Sequence, residues 1–96
     1  MFFVYIIKSV SSDIFYVGHT DDPVRRLFEH NNLPVQSFTS KHRPWLLVKA
    51  FEVSENRADA MKIEKKIKDK KSSTYIQNLL KYPEMFAKLL VRALDC

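Results

Sequence analysis

The chain has few of the residues that bend or cross-link a backbone. It holds one glycine, Gly18, and one cysteine, Cys96, in 96 residues. A lone cysteine excludes an internal disulfide and any cysteine-rich zinc site, so a reduced, cytoplasmic setting is the expectation. Glycine is far below ordinary usage, so the one position that keeps it carries more information than usual. Long apolar runs are also missing. The opening "MFFVYIIKSV" is broken by Lys8, is too short to span a bilayer, and lacks the charged start and small-residue cleavage site of a signal peptide. It reads as a first strand, and no membrane role is expected. No repeat, low-complexity segment or linker interrupts the chain, and residues 1–96 are expected to form a single domain.

What is present is a folded-protein composition with a basic excess. The apolar share of 46% is enough for one core, and the net charge of +5 favours an anionic partner such as nucleic acid or an acidic membrane surface. Phe2 to Ser9 alternates aromatic and β-branched residues, as a strand with two buried faces does. "SVSSD" supplies turn residues, and Ile14 to His19 reads as a second strand pairing antiparallel with the first. Asp22 then Pro23 predicts a helix start, with Val24, Leu27 and Phe28 as its core stripe through about Asn31. Asn31 to Pro44 lacks periodicity and reads as an exposed loop. Trp45 to Val53 predicts a third strand. Helices follow over about 54 or 56 to 69, over Tyr75 to Leu80 behind Ser72, Ser73 and Thr74, and from Tyr82 and Pro83 onward. The last turns Met85, Phe86, Leu89, Leu90 and Ala93 to one side. The fold class is α+β, a small three-stranded antiparallel sheet flanked by helices in the order β-β-α-β-α-α, plus a C-terminal helix over about 83–94.

Several polar residues fall where chemistry is possible. Arg26 and His30 are four apart on one helix face and can address one anionic group, or stand as two solvated bases. Glu64 lies beside the stripe of Ala60, Ile63 and Ile67, where a carboxylate needs a partner. That partner is either Lys68 at i+4 or a divalent cation held with waters and substrate phosphate. Tyr5 and Tyr16 lie on neighbouring strands, where aromatics commonly pack. Gly18, at a strand end, marks a bulge or a close approach of another group.

Taken in order, these residues resemble the GIY-YIG nuclease superfamily, in particular its small free-standing bacterial members, related to the N-terminal nuclease domain of the excinuclease C subunit. "FVY" (Phe3, Val4, Tyr5) and "YVG" (Tyr16, Val17, Gly18) stand for the two triplets, with Phe3 in place of the leading glycine. Arg26 follows Tyr16 by ten residues, His30 one turn later matches a histidine of many members, Glu64 in "AMKIEKKIK" matches the glutamate, and Asn78 in "YIQNLL" the asparagine. His19 stands where lysine or tyrosine occurs in other members. "KHRPWLLV" also resembles the small members, and the likeness covers roughly residues 2–80, leaving the last helix outside.

The resemblance implies an endonuclease that hydrolyses DNA phosphodiester bonds, with structured or damaged DNA, and hence repair, as the setting. Tyr5 or Tyr16 would act as general base, helped by Arg26 and by His30 or His19. Arg26 would bind the scissile phosphate, and Glu64 would hold one Mg²⁺ or Mn²⁺. Gly18, His19, Lys41, Arg43 and Asn78 would line the substrate. Gly18 would leave room for the DNA backbone at the hairpin end. Lys41, His42 and Arg43, with Lys62, Lys65, Lys66, Lys68, Lys70 and Lys71, would position a nucleic acid through its phosphates without reading sequence. The alternative is a nucleic-acid-binding module that keeps the fold without catalysis. DNA, structured or duplex, is the expected partner, with RNA as an open alternative, and the C-terminal helix, Glu84 to Leu94, either packs on the core or offers Phe86, Leu89 and Leu90 to a second copy or a partner protein.

Overall fold

The computed structural model describes residues 1–34 and 37–94. The cysteine, Cys96, lies outside the described residues, as does part of the segment expected to be a loop. The order is β1 (Phe2–Ser9), β2 (Phe15–Thr20), α1 (Pro23–Asn32), a 3-10 turn (Thr39–His42), β3 (Trp45–Ser54), α2 (Arg57–Asp69), α3 (Ser73–Lys81) and α4 (Pro83–Leu94). β1 is central in a three-stranded sheet of order β2-β1-β3, antiparallel to both neighbours. That position explains its sequence, because a central strand covered on both sides has no polar face to alternate with.

Period-2 alternation along β1 divides the interior. Tyr5 and Ile7 point to the face that also buries Trp45 and packs against Leu27 of α1. Val4 and Ile6 point to the other face, where they meet Val17, Phe51 and the inner residues of α2 (Ala60, Ile63, Ile67), α3 (Leu79) and α4 (Phe86, Ala93). Each of the first three helices starts on a side-chain cap: Asp22 accepts from the Arg25 amide, Asn56 from Ala58 and Ser72 from Tyr75. Asn31 ties α1 to β3 by accepting from the Trp45 amide at 2.7 Å and donating to its carbonyl at 3.0 Å.

Two expectations are corrected. Val24 and Phe28 are 74% and 65% exposed, not core residues. The inward arc of α1 is centred on Leu27 and His30, a quarter-turn or more away, because the helix turns a polar residue toward Tyr5 instead of an apolar stripe toward the sheet. The segment before Pro44 is not wholly an exposed loop. Thr39 is buried in the 3-10 turn and its carbonyl accepts the Trp45 indole N–H at 2.7 Å. α3 begins at Ser73 and contains the expected Tyr75 to Leu80, with Ser72, one of the three hydroxyls expected to cap it, taking the cap. The C-terminal helix resolves its two expectations in favour of packing. The Phe86 ring stacks on Phe51 with centroids 4.0 Å apart, and Leu89 and Leu90 are half-buried against the same core.

Candidate active site

Strand register builds the centre of the site. Tyr5 pairs directly with Gly18 across β1 and β2, and its ring lies over that glycine. A Cβ at position 18 would overlap the hydroxyl end of the ring, coming within 2.8 Å of Cε1 and closer to Cζ and Oη. Gly18 does not have positive φ, so turn conformation is not its reason. The space it leaves is filled by Tyr5. That corrects the expectation that the room was kept for a DNA backbone.

The Tyr5 hydroxyl is thereby held 2.7 Å from Nε2 of His30. Both residues are buried, at 2% and 4% exposure. Burial pushes the Tyr5 phenol up to about 12, against the opposing pull of the Arg26 charge. Burial lowers His30 to about 4, and the positive charges of Arg26 and Arg43 act in the same direction while Glu29 opposes them. At neutral pH the pair is therefore a protonated phenol beside an uncharged imidazole, and the imidazole nitrogen is free to accept. Arg26 is aimed by Glu29, one turn on, through a 3.0 Å bond between Nη1 and Oε1. Arg26, Glu29, His30 and Arg43 line one small cavity of about 170 Å³.

Tyr16 packs edge-on against His30 at 5.3 Å between centroids and against Trp45 at 6.2 Å, and it stacks with Phe38 at 6.1 Å. It faces α1, whereas His19 faces α2. The two sets meet around the edge of the sheet, since β2 has no strand beyond it. There Glu64 accepts from His19 Nδ1 at 2.6 Å and from Lys68 Nζ at 2.8 Å, while the same Lys68 ammonium lies 4.9 Å from the Tyr16 ring centroid. Lys68, read in sequence as a surface partner for Glu64 and as one of the lysines facing phosphates, joins the carboxylate to the tyrosine.

The structure thus brings together Tyr5, Tyr16, Gly18, His19, Arg26, His30 and Glu64 at one sheet edge. Arg43 borders the site in the same cavity as Arg26 and His30, and the other two candidates lie apart. Arg43 donates at 2.5 Å to the carbonyls of His30 and of Leu33, closing the C-terminus of α1. Lys41 is exposed on the 3-10 turn. Asn78 is half-buried on α3, where its carbonyl accepts from the Tyr82 amide, and its side chain makes no hydrogen bond among the described residues. Glu29 was missed in the sequence although its spacing from Arg26 is that of a helical ion pair.

Tyrosines on two paired strands, an arginine on the helix after them and a glutamate on the next define the GIY-YIG class of catalytic domain. The family model described as the GIY-YIG catalytic domain matches residues 1–78, and the chain belongs to that family. It is 33% identical over 78 residues to the structure-specific endonuclease subunit SLX1 of Meyerozyma guilliermondii, an alignment covering 76% of this chain and 26% of that protein. It is 35% identical over 77 residues to a UPF0213 protein of Listeria monocytogenes serotype 4b, covering 77% of this chain and 84% of the other. The chain thus spans about a quarter of the SLX1 protein, and α4 lies beyond the residues that match the family.

Proposed function

We propose that the chain is an endonuclease that hydrolyses DNA phosphodiester bonds at the β2 edge. The observation that carries this reading is the 2.7 Å bond from Tyr5 to an uncharged His30 beside Arg26. A phenol held up near 12 is no base at neutral pH unless its own proton has somewhere to go. His30 Nε2 is that place. As an attacking water gives its proton to the Tyr5 oxygen, the Tyr5 proton passes to Nε2, the water oxygen bonds to phosphorus and the bond from phosphorus to the leaving oxygen breaks. The leaving oxygen takes a proton from solvent, and the imidazolium returns its proton to solvent. A bound phosphate supplies negative charge that offsets Arg26 and Arg43, the cations that help hold His30 low, and so makes the imidazole a better acceptor when substrate is present. Arg26 holds the phosphate and offsets the charge that develops on it. Tyr16, with Lys68 over its ring, orders the water-facing side.

The donor set suits a magnesium-like cation. Among the described residues no group of three or more His, Cys, Asp and Glu side chains encloses a metal position. Glu64 offers one hard carboxylate, 19% exposed at the open edge, and Mg²⁺ is commonly held by one or two carboxylates with water and substrate oxygens. Glu64 would hold Mg²⁺ or Mn²⁺ in exchange for its contacts with Lys68 and His19, and the ion would stabilise the leaving oxygen. Structured DNA is the substrate to try first, since the SLX1 relative is named as structure-specific.

The test is cleavage of supercoiled plasmid and of a branched oligonucleotide in Mg²⁺, Mn²⁺ or EDTA. Metal-dependent nicking is expected, absent in Glu64→Ala while that variant still binds DNA, and reduced roughly 100-fold or more in Tyr5→Phe. Binding without cleavage of either DNA or RNA would overturn the reading and leave a nucleic-acid-binding module.

A further inference from the structure

A cavity of about 530 Å³ lies between the far end of the β1–β2 hairpin and the junction of α2 with α3. Phe15 and Ile76, half-buried above the buried Val17 and Ile67, give it an apolar floor with one aromatic ring, and Lys8, Lys68 and Lys71 stand around it with a single acid, Asp13. Lys8 is paired with Asp13 at 3.0 Å and Lys68 with Glu64 at 2.8 Å, whereas Lys71 makes no salt bridge among the described residues. Tyr16 also lines the cavity, so Tyr16 and Lys68 belong both to it and to the candidate active site. From His19, which touches Glu64, to Phe15, which lines the cavity, is four residues of strand, on the order of 13 Å, the reach of a nucleotide or two.

The backbone around this cavity carries a second signal. Among the described residues two non-glycine positions have positive φ, Asp13 at 55° and Lys71 at 49°, and both line it. Glycine takes that conformation without steric cost. Aspartate also takes it in turns, so Asp13 closes the hairpin without a further reason, but the chain's one glycine is elsewhere and a lysine is kept at position 71. Strain retained where glycine would relieve it points to a side chain with a chemical task.

Resting on the nuclease reading above, we propose that this cavity is a subsite for one unpaired nucleotide of the cut strand, adjacent to the scissile phosphate. Its base lies on the apolar floor and its phosphate is taken by Lys68 and Lys71. A base stacked and paired within a duplex presents only its phosphate here and leaves the floor wet. An unpaired base brings a free π face, which adds to affinity whatever the base, while the lysines hold the backbone. The volume is within the range that encloses a small ligand. The substrate class that follows is nucleic acid with a nucleotide out of the helix beside the cleaved bond, as at a flap, a bulge or a branch.

The test reads binding in EDTA, where no cleavage intervenes. Fluorescence anisotropy compares a duplex bearing a single-stranded flap, with 2-aminopurine at its first unpaired base, against the same duplex blunt. The native chain is expected to bind the flap roughly tenfold or more tightly, the worth of one stacked base, and to change the 2-aminopurine emission. Two variants are expected to bring that ratio to near one. Lys71→Gly removes the ammonium and relaxes the backbone, so its melting temperature is no lower than native. Gln77→Trp closes the mouth from an exposed position. Equal binding of the two DNAs by the native chain, or a ratio unchanged in both variants, would overturn the subsite. Cleavage in Mg²⁺ without flap preference sinks the subsite alone. Flap preference without cleavage supports the subsite as a binding site and sinks the nuclease reading.

Discussion

At the scale of single residues, the contact between Gly18 and Tyr5 leaves no room for a side chain at position 18. A methyl group at position 18 meets a buried aromatic ring that is itself fixed by His30, so the clash has no flexible end to relieve it. Gly18→Ala is expected to lower unfolding stability by about 1–3 kcal/mol, as overpacking does, and denaturant titration measures it. His30 gives a pH signature. Its folded value is depressed to about 4, so the unfolded chain takes the proton first. The stabilisation it confers is complete above about pH 6.5 and is lost as pH falls from there toward about 4, on the order of 3 kcal/mol in all. In His30→Gln the fall in unfolding free energy across that window is expected to be shallower by this amount. Part of the site was legible in the sequence because ordered spacing survives without coordinates: Tyr5, Tyr16, Arg26, His30 and Glu64 do meet. The reason for Gly18 was not, because it depends on the cross-strand register that sets Tyr5 opposite it. The link from Glu64 through Lys68 to Tyr16 was likewise hidden, since it wraps around a sheet edge.

Among the elements, those defined by local chemistry were read closely. Asp22 with Pro23, the alternation along β1 and the serine before α3 each act within a few residues. The inward face of α1 was misread because apolar residues were counted as inward, while tertiary contact with Tyr5 drew His30 in and left Val24 and Phe28 outside. α4 lies beyond the family match, yet it is part of the interior through Phe86, 5% exposed and stacked on Phe51. Phe86→Ala is expected to cost about 3–5 kcal/mol. Calorimetry should show a lowered transition without splitting it in two, because the same residue touches the sheet that carries the site.

For the molecule as a whole, one sheet separates two unlike halves. On one side are aromatic and titratable groups around Tyr5, and on the other the larger apolar layer beneath α2, α3 and α4. The chain has a single tryptophan, Trp45, buried in the first half with its indole N–H on the Thr39 carbonyl and the Tyr16 ring 6.2 Å away. The molecule therefore carries its own optical probe on the side of the sheet that holds Tyr5 and Tyr16. Light absorbed by Tyr16 passes readily to the neighbouring indole, and Trp45 emission reports the surroundings of Tyr16. Spectroscopy without any added dye can thus follow events beside Tyr16.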